Sequence, residues 1–234
     1  MPLYLAMTAA EIACAETLPE KIAWMACHFS CYGTGLSNGP RQLPQGSVLI
    51  LNDRTPISGH DPQRITEQLT QLTEDFSCSG VLLDFQRPEV SETARLCAHL
   101  VNALPCPVGV TESYAKELDC PVFLSPLPPG VALEAHIEPW AGRELWIEIA
   151  VETRAAVITE KGCQWQAADH SDPESVWFEE PALHCRYCWH TEERQAVFTL
   201  QRTAQHIPSL LEEAQARGVT CAFGLYQQLK DRLG

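Results

Sequence analysis

Basic residues are what this sequence has least of: its 234 residues carry 16 Lys and Arg against 30 Asp and Glu, a formal charge of −14. Nucleic acids and anionic membrane surfaces are held by a basic footprint, so neither is expected as a partner. There is no G-x-G-x-x-G or P-loop, which argues against a nucleotide-binding open sheet. There is no G-x-S-x-G elbow either, so a serine nucleophile of the hydrolase kind is not expected. No window approaches an uninterrupted membrane span. The opening stretch "MPLYLAMTAAEIACAE" has no basic region, and Thr8 and Glu11 break its apolar run. The cytoplasm is therefore the expected compartment. Internal repeats and linker-like segments are absent.

Cysteine, by contrast, is abundant at 11 residues. Without a secretion signal these read as reduced, mostly buried small side chains rather than a disulfide framework. Cys97, Cys106, Cys120 and Cys221 all sit in or beside apolar runs. The cluster "HCRYCWH" (184–190) invites a metal site. However, in a strand Cys185 and Cys188 face opposite ways, and no second C-x-x-C completes the set. No metal and no cofactor are expected.

What the chain does have is a series of strand-like apolar runs, at 23–29, 47–52, 80–85, 107–111, 121–125, 144–152, 183–190 and 221–226. Several are apolar nearly throughout, as strands covered on both faces are. Eight is the number a closed parallel barrel needs. Helical patterns lie between some of them. In "DPQRITEQLTQLTEDF" Asp61 is a cap, Pro62 sits in the first turn, and Ile65, Leu69, Leu72 and Phe76 share a face. "SETARLCAHLVNAL" repeats the spacing with Leu96, Leu100 and Leu104, and "HIPSLLEEAQARG" stops on Gly218. Thr8-Ala-Ala-Glu11 reads as a capping box opening a short helix.

The middle of the chain loses this rhythm. Residues 155–166, with Glu160-Lys161-Gly162 as the turn, read as an antiparallel hairpin. The expected fold class is α/β: a reduced TIM-type (β/α)8 barrel with some helices replaced by loops and a β-hairpin. Residues 1–234 form one barrel domain, with the hairpin at 155–166 as an insertion and 221–226 beside 23–29 to close the sheet. A doubly wound open sheet is the structural alternative.

One stretch carries chemistry. In "SGVLLDFQRP" (79–88) four apolar residues run into an acid, an aromatic and an amide, and alternation puts Leu82, Asp84 and Gln86 on one face. This segment resembles the signature strand of the chitinase-like barrels of glycoside hydrolase family 18, whose motif is D-x-x-D-x-D-x-E, commonly followed by Tyr-Pro. Laid on this chain, the motif's first two aspartates fall on Ser79 and Leu82. The third is kept as Asp84, the catalytic glutamate falls on Gln86, and Pro88 keeps its place. The close resemblance covers about ten residues, supplemented by the strand count and a C-terminal "GLYQQL" where the family often places an aromatic.

The resemblance implies substrate-assisted hydrolysis. The sugar's N-acetyl oxygen attacks the anomeric carbon, a glutamic acid protonates the leaving oxygen, and the neighbouring aspartate orients the acetamido group. Asp84 can still do the last job, but Gln86 cannot protonate anything. Losing such an acid costs roughly 10²–10⁴-fold in rate.

In a barrel of this kind the residues at the C-terminal strand ends line one mouth. Those positions hold His28 and Tyr32, Asn52 and Asp53, Asp84 and Gln86, Glu112 and Tyr114, Glu148 or Glu152, Tyr187 or His190, and Tyr226 with Gln227. Carboxylates, amides and aromatics together suit a sugar. Asp84, Gln86, Glu112 and Glu148 are the candidate catalytic positions. His28, Tyr32, Asn52, Asp53, Tyr114, Tyr187, Tyr226 and Gln227 are the candidate ligand-binding ones. The expected function is binding of a carbohydrate of N-acetylglucosamine type without family-type hydrolysis. The alternatives are an active glycoside hydrolase using Glu112 or Glu148 as its acid, and a non-catalytic scaffold or interaction protein.

Overall fold

In the computed structural model, which describes residues 1–37, 39, 40, 42–55, 57, 59–88, 90–168, 175–192 and 194–230, eight parallel strands close on themselves. They are β1 (Leu3–Met7), β2 (Ile22–His28), β3 (Val48–Asn52), β4 (Gly80–Asp84), β5 (Val108–Thr111), β6 (Val122–Leu124), β7 (Leu145–Ile149) and β13 (Val219–Leu225). Between β7 and the last helix before β13 the chain builds a second sheet. Its strands are β8 (Glu152–Thr159), β9 (Gly162–Ala167), β10 (Phe178–Glu180), β11 (Cys185–Glu192) and β12 (Gln195–Arg202), in the order β10-β11-β12-β8-β9. The fold is a reduced (β/α)8 barrel of the TIM type.

The helices are α1 (Ala9–Cys14), α2 (Pro62–Asp75), α3 (Ser91–Ala103), α4 (Glu112–Ala115), α5 (Leu133–Ile137), α6 (Ile207–Ala216) and α7 (Tyr226–Leu229). Thr8 opens α1 with a full capping box: its hydroxyl accepts from the Glu11 backbone, and Glu11 accepts from the Thr8 backbone. Asp61 caps α2 through the Gln63 amide, and Gly218 at φ +90° follows the end of α6. Ile65 and Leu69 of α2, with Leu96 and Leu100 of α3, bury against outward-facing strand residues such as Leu49, Leu51, Val81 and Leu83. The connection from β2 to β3 contains no helix among the described residues, and no helix among the described residues is long and apolar enough to cross a membrane.

Alternation sends the other set of strand side chains inward. Tyr4, Ala6, Ala23, Val48, Ile50, Leu82, Phe123, Trp146 and Phe223 form a separate interior core. Phe223 stacks on Tyr4 at 5.4 Å, meets Phe123 edge-on at 5.5 Å, and lies 5.5 Å from the Trp146 ring. The indole fits because β5 has no side chain facing it: a Cβ on Gly109 would lie 2.4 Å from the Trp146 ring. The interior is packed rather than hollow.

Two expectations need correction. Run 221–226 does not lie beside 23–29, because β1 stands between them, pairing Tyr4 with Phe223 on one side and Ala6 with Ala23 on the other. "LYLAM" is a short run that passes straight into a helix cap, yet it supplies the closing strand. Run 183–190 is not a barrel strand: it belongs to β11, in the antiparallel sheet. β12 starts at Gln195, directly after β11 ends at Glu192, and so short a connection permits only antiparallel pairing. The hairpin read at 155–166 is present as β8 and β9, with Thr159 opposite Gly162 at its turn.

The second sheet is tied to the barrel by buried polar contacts. Arg202, 1% exposed, donates to the carbonyls of Leu127, His184 and Leu183. His184 holds a left-handed backbone (φ 47°), with Nε2 at 2.7 Å from Glu213 and Nδ1 at 3.0 Å from Ser209, both on α6.

Candidate functional site

The alternation that fills the interior also builds the mouth. Two residues beyond Ile50, Leu82 and Trp146 stand Asn52, Asp84 and Glu148, so the core parity aims their side chains at the C-terminal opening. Strand register lines up His28, Asn52 and Asp84 across β2, β3 and β4. His28 Nδ1 lies 3.0 Å from Asn52 Oδ1. The Gln86 side-chain amide donates to Asp84 Oδ1. Burial pushes the Asp84 carboxyl above its ordinary range, the Gln86 hydrogen bond opposes this, and the nearby charge of Asp53 adds to it.

The loop after β4 is fixed from below. Asp53, buried beneath it, accepts from the backbone N–H of Gln86 at 3.2 Å and of Arg87 at 2.9 Å. Phe85 turns away from the mouth and packs against Phe29 and Tyr114 at 6.0 and 6.2 Å. Of the earlier motif positions, Leu82 is packed in the interior core. The Ser79 hydroxyl bonds the Gly46 carbonyl at 2.8 Å, near the Tyr4 hydroxyl.

A cleft of about 620 Å³ lies between the barrel rim and the β8–β9 hairpin, lined by Glu148, Glu152, Arg154, Trp165, Leu225 and Gln228 among others, and the charge of Asp84 reaches it at Glu148. The Arg154 guanidinium lies 3.8 Å from the Trp165 ring centre, and Trp165 remains 48% exposed. Burial raises the Glu148 carboxyl to about 7, and the negative charges of Asp84 and Glu152 push it the same way. A carboxyl group at this value exchanges protons near neutrality.

The remaining candidates scatter. Glu112 is half-buried, accepts from the Ser125 hydroxyl at 2.8 Å and is not among the residues that line the cleft. Tyr32 projects fully into solvent. Tyr114 is buried on the helix side, its hydroxyl donating to the carbonyls of Arg87 at 3.2 Å and Pro88 at 3.1 Å. Tyr187 lies in the second sheet, stacked on Phe178 at 5.6 Å. Tyr226 packs against the outer core, and Gln227 is exposed beside Glu11. It is the next residue, Gln228, that enters the cleft, accepting from the Val151 amide at 3.0 Å. Asp53 and Tyr114 thus shape the loop after β4 instead of facing the opening. Sequence reading missed Arg154 and Trp165; the signal was their alternation on facing strands of the hairpin, where Ala156 pairs with Trp165.

The cysteines are all free thiols, and among the described residues no group of three or more His, Cys, Asp or Glu could hold a metal ion.

No protein-family model matches the sequence, and no curated protein matches it. Solved structures do match. A family 18 chitinase from Cycas revoluta in complex with (GlcNAc)3 aligns over 99% of this chain and 96% of its own, at TM-score 0.62 and 11% identity. A family 18 N-acetylglucosaminidase from Paenibacillus barengoltzii aligns over 98% of both chains at TM-score 0.63, also at 11% identity. The fold is the chitinase-like barrel. The spore cortex-lytic enzyme SleL of Bacillus cereus shares it, over 95% of this chain and 70% of its own, at TM-score 0.58 and 9% identity. A double mutant of the Cycas chitinase, one change being glutamate to glutamine, was solved with (GlcNAc)4 and aligns at TM-score 0.62. Within this chain's chitinase-like barrel, the segment that resembles the family motif is β4 and the residues just beyond it, and only its last two polar positions reach the mouth.

Proposed function

We propose that the mouth of this chitinase-like barrel binds a saccharide of N-acetylglucosamine type, and that residue 86 takes no part in hydrolysis as an acid. The observation that carries the reading is the Asp84–Gln86 pair at the inward end of β4. Asp84 keeps a carboxylate that can accept an acetamido N–H, while the Gln86 amide can hydrogen-bond a glycosidic oxygen but has no proton to transfer. Trp165 adds an exposed aromatic surface in the adjoining cleft, the surface a sugar's C–H face stacks on. That a family 18 chitinase carrying a glutamate-to-glutamine change was solved with (GlcNAc)4 supports a saccharide reading for a barrel of this fold.

Calorimetric titration with N,N′,N″-triacetylchitotriose tests the reading. Saturable binding is expected for the parent, weakened about tenfold or more in Asp84→Ala through loss of one charged hydrogen bond. A parent protein that binds no chito-oligosaccharide overturns it.

A further inference from the structure

Glu148 is the carboxyl group at the mouth that the Asp84–Gln86 pair leaves unused. It extends from β7 two residues beyond Trp146, on the inward face, and lines the cleft together with Glu152, Arg154 and Trp165. It has no hydrogen-bond or ion-pair partner among the described residues. Glu112, the other carboxyl considered for the role, is engaged by Ser125. Resting on the saccharide reading above, we propose that Glu148 is the proton donor of this mouth, supplying from β7 the acid that Gln86 cannot supply from β4. The substrate class is a glycoside whose sugar carries a 2-acetamido group.

Position and environment agree. The charges of Asp84, on β4, and Glu152, on β8, act on Glu148, while Arg154 of the same cleft is drawn over Trp165. Two carboxylates and burial hold Glu148 at about 7, where a general acid is half protonated at neutral pH and still willing to give its proton up. In the step itself, Glu148 passes its proton to the glycosidic oxygen as the C1–O bond breaks and that oxygen keeps the bonding pair. The acetamido oxygen bonds C1, giving a cationic oxazolinium that Asp84 steadies at the N–H. The Glu148 carboxylate then takes a proton from water as the water oxygen bonds C1 and the oxazolinium ring opens. The acid is regenerated and no other reactant is needed.

The test compares the parent, Glu148→Gln, Glu148→Asp and Glu112→Gln. Turnover is followed on 4-methylumbelliferyl diacetylchitobioside and binding on triacetylchitotriose. The parent is expected to turn over, with kcat falling as pH rises through about 7. Glu148→Gln is expected to lose about 10²-fold or more in kcat while still binding the trisaccharide. Glu148→Asp should keep part of the rate with a displaced pH limb, and Glu112→Gln should keep the parent rate. Binding without turnover in the parent, or parent-like kcat in Glu148→Gln, overturns the inference and leaves the saccharide reading standing. Absence of binding in the parent removes both, and is distinguished by the titration.

Discussion

The side-chain amide of Gln86 donates to the carboxylate of Asp84, and the two together form the polar end of an otherwise apolar strand. A carboxyl group at residue 86 would stand against Asp84 as a like charge. The amide instead satisfies Asp84 and lowers the cost of keeping it ionised in a site where burial opposes the charge. With glutamine at 86, a neutral donor faces the Asp84 carboxyl group where two acids would have to share a proton.

Gln86→Glu reverses this. The lost amide donor and the new like charge both raise the Asp84 carboxyl further, and the pair is expected to titrate in two coupled steps. Carbon-detected NMR of the carboxyl groups checks this. An Asp84 titration unchanged from the parent would show that the two side chains do not share one environment. The variant also gains an acid, so turnover of an aryl N-acetylglucosaminide should rise and fall again on adding Asp84→Ala.

Gly109→Ala should destabilise the barrel from within. The new Cβ would lie 2.4 Å from a Trp146 ring that is itself packed against Phe223. Overpacking of this kind costs about 1–3 kcal/mol. A urea unfolding midpoint equal to the parent's would mean that the interior yields more easily than its packing implies.

Arg202→Met removes the donor shared by the carbonyls of Leu127, His184 and Leu183. Leaving buried carbonyls unsatisfied costs on the order of 1–3 kcal/mol. Hydrogen exchange should speed up in β11 and β12 and stay slow in β3 and β4. Uniform acceleration through the barrel would show that the sheet and barrel unfold as one unit.

The Glu148 carboxyl, raised from 4.5 to about 7, binds its proton more tightly in the folded state than in the unfolded one. Stability from this group is present below about pH 4.5 and is lost as pH rises through about 7. Glu148→Gln removes the penalty. It should stabilise the protein by about 3 kcal/mol at pH 8 and by nothing near pH 4, read from denaturant midpoints at the two pH values. An equal effect at both would show that the site is not buried as described.

Much of the barrel is legible in the sequence because both faces of a parallel strand are covered, so strands such as "SVLILN" and "GVLLD" read as unbroken apolar runs. The three long helices announce themselves by spacing and caps, Asp61 and Gly218 above all. β1 escapes notice because five residues before a capping box carry little periodic signal. β11 misleads because an apolar-aromatic run looks the same in a buried parallel strand and in a half-exposed antiparallel one; only the short connection to Gln195 separates them. Asp84 and Gln86 are read from strand alternation together with the motif resemblance, and Glu148, with Glu152 as its alternative, from its place at a strand's C-terminal end. Arg154 and Trp165 are not, since their place beside the mouth depends on where a separate sheet docks, and that is decided by Arg202, His184 and Glu213 far along the chain.

The saccharide reading is tested most directly by following the side chains of the mouth during ligand addition. In 15N-labelled protein titrated with triacetylchitotriose, the Gln86 side-chain amide and the Trp165 indole N–H should shift together and saturably, while the indole of Trp24, buried in the outer core, stays in place. Shifts that are absent, or confined to residues away from Asp84, Gln86 and Trp165, would contradict the account.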